Sequence, residues 1–240
     1  VAMGLAGTDV ARQAADIVLA DDNFATLVAA VEEGRAIFAN IRKFLRFLLS
    51  SNIGEVMTMF GGVLFAKGLG MPWQDGVVAL PLLATQILWI NLVTDGAPAL
   101  ALGVDPPDAD LMRRPPRAAG EGAITARMTR GIVFVGAVMA IGTLLVLDAT
   151  LPGGWIEGDG DLPRAQTMAF TTLMLFQLFN VVNARSDEAS AFVRLWTNRW
   201  LWAAIGVSVA LQAAVVYLPA LQRAFGTVPL AAGEWGRCVA

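Results

Sequence analysis

An all-α polytopic membrane helix bundle, with a small α/β piece at its N-terminus, is the fold class this sequence predicts. Three observations carry it. Of 240 residues, 56% are hydrophobic and 15% charged, too apolar for a soluble domain of this size. The apolar residues gather into stretches long enough to cross a bilayer, at about 44–66, 77–103, 131–151, 165–183 and 200–218. Polar connectors rich in proline, glycine and charge separate them.

The remaining composition excludes several chemistries. There is no histidine, so imidazole metal sites and imidazole general bases are absent. The single Cys238 excludes an internal disulfide framework. A net charge of −3 argues against nucleic acid as a partner and leaves the lipid bilayer as the expected surroundings.

Residues 1–30 read as soluble. Thr8 to Ala15 has helical composition, and Asp16-Ile17-Val18-Leu19-Ala20 reads as a short buried strand. Thirty residues cannot bury a core alone, and Val1-Ala2-Met3-Gly4 is no plausible start, so a preceding part of the same chain is expected. A helical pattern then runs from about Phe24, after the capping residues Asp22 and Asn23, to about Ala66. At 1.5 Å per residue it would measure roughly 60 Å, twice the hydrocarbon thickness, and would tie the soluble part to the membrane.

Its apolar half contains Ser50-Ser51-Asn52-Ile53-Gly54-Glu55, with Asn52 and Glu55 on one face at i, i+3. After a short turn at 67–76, the second span carries Leu88-Trp89-Ile90-Asn91-Leu92-Val93-Thr94-Asp95-Gly96-Ala97-Pro98. Asn91, Thr94 and Asp95 stand at i, i+3, i+4. Pro98 takes the helical partner from the Thr94 carbonyl, and Gly96 makes opening the helix cheap. Glu55 and Asp95 are the carboxylates well inside the spans, where ionised groups need a partner or a purpose. Two adjacent, partly unwound helices would then share one oxygen-lined site for a hard cation. The plainer alternative is helices held by buried polar contacts.

Residues 104–130 form a polar connector stiffened by Pro106, Pro107, Pro115 and Pro116, either a coupling loop or a plain linker. The third span stays uncharged until Asp148. The Gly-rich loop 152–166, with Glu157, Asp159 and Asp161, reads as solvated. The fourth span carries Gln177, Asn180 and Asn183. Asn183 reads as glue between helices, while Gln177 could line the site or act as glue. The fifth span has Trp196, Trp200, Trp202 and Tyr217 as interfacial anchors, and residues 219–240 read as loop.

Basic residues set the orientation. One side holds Arg35, Arg42, Lys43, Arg46, Arg113, Arg114, Arg117, Arg127, Arg130, Arg185, Arg194 and Arg199. The other holds Lys67, Arg164, Arg223 and Arg237. The first side is expected to be cytoplasmic, with residues 1–30.

Several strings resemble the P-type cation-transporting ATPases. Val1-Ala2-Met3-Gly4, Gly7-Thr8-Asp9-Val10-Ala11 and Ile17-Val18-Leu19-Ala20-Asp21-Asp22-Asn23-Phe24 resemble the end of their haloacid-dehalogenase-like phosphorylation domain. Val31-Glu32-Glu33-Gly34-Arg35-Ala36-Ile37 and Ser50 to Glu55 resemble their fifth membrane helix. Asn91-Leu92-Val93-Thr94-Asp95-Gly96 resembles the sixth helix of sarco/endoplasmic-reticulum-type calcium pumps, and residues 105–116 the loop after it. The resemblance implies residues 1–30 as the end of the phosphorylation domain and 31–240 as a C-terminal transmembrane domain holding helices five to nine. It implies Asn52, Glu55, Asn91, Thr94, Asp95 and Gln177 as ligands of a transported cation, calcium first. Sodium, manganese or protons are alternatives within the family, and a channel or secondary transporter lies outside it. Gln177 stands where the reticulum-type pumps carry a glutamate. The phosphorylated aspartate and the Mg2+ and ATP sites have no counterpart in these residues, so catalytic residues are expected elsewhere in an intact enzyme. A prokaryotic plasma membrane is the expected location.

Overall fold

The computed structural model describes residues 1–74, 76–108, 110–116, 122–185 and 196–239. Asp75, Arg117, Arg194 and most of the charged connector at 185–199 lie outside the described residues. The chain divides into two compact units, Val1–Ile41 with Pro106–Glu121, and Arg42–Asp105 with Gly122–Ala240.

In the first unit, strand β1 (Ala2–Met3) pairs in parallel with β2 (Val18–Leu19), Ala2 opposite Val18 and Met3 opposite Leu19. Helix α1 (Asp9–Ala14) makes the crossover. The Thr8 hydroxyl accepts from Ala11 N–H and caps it, as the composition of this stretch leads one to expect. The strand is buried on one side alone, with Leu19 buried and Val18 exposed. The long helix α2 (Phe24–Leu64) begins where the sequence places it. Asn23 supplies the cap through Ala25 N–H, but Asp22 does not. The Asp22 backbone is left-handed, with φ 53°, and its carboxylate accepts from Leu5 N–H at 2.9 Å and Ala6 N–H at 2.7 Å. Asp22 therefore ties the loop after β1, which a local capping rule does not detect. In the polar connector, Arg35 donates to the carbonyls of Leu111 and Arg114 at 3.0 and 2.9 Å, so this stretch is held and is more than a spacer.

The second unit is a helix bundle. Its helices are the remainder of α2, then α3 (Ala84–Trp89), a π-helical turn (Ile90–Asp95), α4 (Gly96–Gly103), α5 (Ala126–Asp148), α6 (Leu162–Asn183), α7 (Arg199–Tyr217), α8 (Pro219–Phe225) and α9 (Ala232–Val239). Thr125, Asp161 and Asn198 cap α5, α6 and α7 through Met128, Arg164 and Leu201 N–H. Among the described residues, four helices are long and apolar enough to cross a membrane: α2, α5, α6 and α7. The chain is an integral membrane protein with a mostly helical fold. The second span differs from the expected 77–103. Trp73–Gln74 (β3) and Val77–Val78 (β4) form an antiparallel hairpin, and helix starts at Ala84. The β-branched pair at 77–78 is apolar enough to read as membrane, yet it forms the second strand of this hairpin, just after Gly76 at φ 79°.

Helix α6 is the centre of the bundle and packs on α4, α5, α7, α9 and the π turn. Phe170 and Leu173 from it meet Leu147, Leu82, Ile90 and Val215 in one buried cluster. Helices α2 and α5 approach closely at glycine. A Cβ on Gly136 would lie 2.6 Å from Ile53 Cγ2 and 3.1 Å from Gly54 N. Small residues give such contact where burial from lipid offers no driving force. Pro219–Phe225 and Ala232–Val239 are helical rather than loop, with a short connection at 226–231. Trp235 donates to the Tyr217 hydroxyl, which donates to Leu230 O, and Cys238 is buried. The amphipathic α9 thus uses α6 as its apolar partner.

Candidate cation site

The expected break in the second span takes a different form. The chain stays helical from Ala84 to Gly103 but widens to a π turn over Ile90–Asp95. Such single turns of i→i+5 bonding concentrate at functional sites. Pro98 falls in the first turn of α4, directly after the π turn, and its ring nitrogen offers no N–H to the carbonyls of that turn. The missing donor is thus absorbed by a change of helix register instead of an open segment. The facing stretch, Ser50 to Glu55, is continuous α-helix. Neither helix is unwound, contrary to the expectation.

Glu55 is buried in α2, and amides hold both of its oxygens. Asn91 Nδ2 donates to Oε2 at 2.7 Å and Gln177 Nε2 donates to Oε1 at 2.9 Å. Three elements, α2, the π turn and α6, therefore converge on this carboxylate. Asp95 is 2% exposed, and neither of its oxygens has a hydrogen-bond partner among the described residues. It lies within electrostatic reach of Glu55 and of Ser51. Ser51 Oγ, Thr94 Oγ1 and Gln177 Oε1 are buried and likewise unsatisfied. Asn91 is exposed except where its amide reaches Glu55, and it also donates to Ile87 O at 3.0 Å.

Two carboxylates in a buried space repel each other, and several acceptor oxygens face no donor. No described lysine or arginine pairs with Glu55 or Asp95. Among the described residues no group of three or more Asp, Glu, His or Cys gathers to hold a metal. The donor set is therefore two carboxylates with hydroxyl and amide oxygens, all hard ligands suited to an oxygen-seeking cation.

The structure brings together Glu55, Asn91, Asp95 and Gln177, with Thr94 buried beside Asp95. It does not bring Asn52, whose side chain is exposed and whose amide donates to Leu48 O at 2.8 Å. Ser51 takes the place expected for Asn52. It is four residues before Glu55, which puts the two closer on a helix face than a spacing of three, and that spacing was available in the sequence. Asn183 is exposed and does not act as glue; Asn180 does, donating to Ser50 Oγ at 2.7 Å.

Residues 79–240 match the family described as cation transporting ATPase, C-terminus. The chain belongs to this family. It is 44% identical over 236 residues to a calcium-transporting ATPase of Bacillus subtilis, covering 98% of this chain and 25% of that protein. An endoplasmic reticulum-type calcium-transporting ATPase 4 of Arabidopsis thaliana is 36% identical over 287 residues, with 98% and 26% covered. A calcium-transporting ATPase type 2C member 2 of Mus musculus is 38% identical over 234 residues, with 97% and 23% covered. The chain thus spans about a quarter of the length of these relatives.

Proposed function

We propose that these helices supply the ion-binding part of an ATP-driven pump that exports calcium from the cytoplasm. The observation that carries the reading is Asp95, buried with both oxygens unpartnered and with the Glu55 carboxylate close by. Glu55, Asp95, Asn91, Thr94 and Gln177 are its ligands, with Ser51 added from the structure. Asn52, exposed on α2, would join the set by turning its side chain away from Leu48 O. When the ion arrives, the amides of Asn91 and Gln177 exchange their donated hydrogen bonds for coordination through oxygen, which frees Glu55. The names of the relatives support calcium as the cargo. Mg2+ and ATP belong to the rest of the protein, where an aspartate takes the phosphoryl group and domain motion opens and closes the site. Having residues 1–30 inside suits the distribution of basic residues, and a prokaryotic plasma membrane is the location we assign.

The test is ATP-driven uptake of radioactive calcium into vesicles reconstituted with the full-length protein. Uptake that needs ATP and is competed by no excess of sodium or manganese supports the reading. ATP-driven movement of another cation, with calcium excluded, overturns it.

A further inference from the structure

Away from the cation site, a second buried polar cluster joins four elements. Asp105, two residues beyond α4, is 5% exposed. Its Oδ2 accepts from Lys43 Nζ of α2 at 2.7 Å. Its Oδ1 accepts from Arg185, just beyond α6, through Nη2 at 2.9 Å and Nε at 3.1 Å. The same oxygen accepts from Asn198 Nδ2 at 2.9 Å. Asn198 also donates to Ala101 O at 2.8 Å and caps α7 through Leu201 N–H. Arg185 reaches onward to Thr197 Oγ1 at 2.8 Å. The middle of α2 and the ends of α4, α6 and α7 are thus held by one carboxylate.

Burying such a set is costly, and apolar side chains of equal volume often serve stability as well or better. What a directional ionic cluster adds is register. Register matters here because α4 follows a π turn, and a π turn holds one residue more than the α-helix it interrupts, so it can relax by sliding the helix beyond it. Lys43 lies twelve residues before Glu55 on α2, about 18 Å along a rigid helix. Asp105 lies ten residues after Asp95. A slip at the cluster would therefore move Asp95 relative to Glu55.

We propose that Asp105, with Lys43, Arg185 and Asn198, is a positioning cluster that holds the π turn in register and so sets the separation of the two site carboxylates. The role in ion affinity rests on the function proposed above; the role in helix register does not. Two measurements on the full-length protein separate them. The first is the calcium dependence of phosphorylation by ATP, beside phosphorylation by inorganic phosphate as a gauge of folded enzyme. Asp105→Asn should raise the half-saturating calcium tenfold or more while the inorganic-phosphate level stays within twofold of wild type. Lys43→Gln, which leaves the Asp105–Arg185 pair, should raise it about threefold and serves if Asp105→Asn does not fold. Unchanged half-saturation in a folded variant overturns the proposal.

The second measurement is the distance between spin labels at Phe60 and Leu100, exposed on α2 and α4, with Cys238 and any cysteine elsewhere in the full-length protein replaced by serine. The distribution should broaden or shift in Asp105→Asn and return toward wild type in Asp105→Glu. An unchanged distribution overturns the proposal whatever ion is transported. A wild-type protein without calcium-dependent phosphorylation would sink the function alone, and the label distances would still decide the register.

Discussion

Gln177→Glu tests how charge sets the number of ions carried. Glu55 and Asp95 bring two negative charges, enough to balance one divalent cation. Gln177 is fully buried; its Nε2 donates to Glu55 Oε1 at 2.9 Å and its Oε1 is unsatisfied. The amide oxygen can coordinate but offsets no charge. A glutamate here removes the donor and sets a third carboxylate against Glu55. Two unit charges about 4 Å apart at an effective dielectric of about 20 repel by about 4 kcal/mol, which a second cation between them would relieve. Each 1.4 kcal/mol recovered is about tenfold in affinity. Wild-type protein should therefore bind one calcium per phosphorylatable site, and Gln177→Glu should approach two. The assay is equilibrium binding of radioactive calcium, normalised to phosphoenzyme. Two ions bound cooperatively by the wild type, unchanged in Gln177→Glu, would refute the charge argument.

Other outcomes follow from the packing and the ion pairs. Gly136→Val should cost about 1–3 kcal/mol by forcing α5 off Ile53 and Gly54, read as a lower unfolding midpoint in detergent; an unchanged midpoint would deny the close contact. Burial opposes ionisation of Asp105, but the Lys43 hydrogen bond and charge, with Asn198 and Arg185, outweigh it and hold the carboxyl below the ordinary range. A depressed folded value gives stability that is present above the unfolded value of about 3.9 and lost as pH falls through the folded one. Acidification below about pH 4 should thus destabilise wild type more than Asp105→Asn; parallel acid curves would contradict this. A cysteine at Asp159 should be labelled from outside intact cells and one at Arg114 only after permeabilisation, and labelling of Arg114 from outside would invert the topology.

Much of this was legible in the sequence because membrane burial writes itself into composition. The positions of α2, α5, α6 and α7 follow from apolar length, and Glu55 and Asp95 stand out because carboxylates are costly there. The conformation at Asp95 was not legible. Pro98 and Gly96 signal a disturbed helix, but the choice between an open segment and a π turn depends on packing against α6 and α7, which no local rule contains. That Ser51 and not Asn52 is buried was not legible, because a spacing of three and a spacing of four both suit one helix face and only the neighbours of Glu55 decide which one is buried. Asp105 was hidden for a different reason. Its partners Lys43, Arg185 and Asn198 lie 62, 80 and 93 residues away, each in a stretch that reads as an ordinary charged end. The hairpin at 73–78 and helices α8 and α9 were lost to averages over windows longer than the elements themselves.

On the proposed function, the unpartnered Asp95 carboxylate binds the transported ion. Phosphorylation of full-length Asp95→Asn by ATP and by inorganic phosphate tests it most directly. Asparagine keeps the shape and one acceptor oxygen but removes the charge. Calcium should no longer support phosphorylation by ATP, while phosphorylation by inorganic phosphate, which needs an empty site, should survive. Calcium-dependent phosphoenzyme retained in Asp95→Asn at wild-type calcium would show that Asp95 is structural.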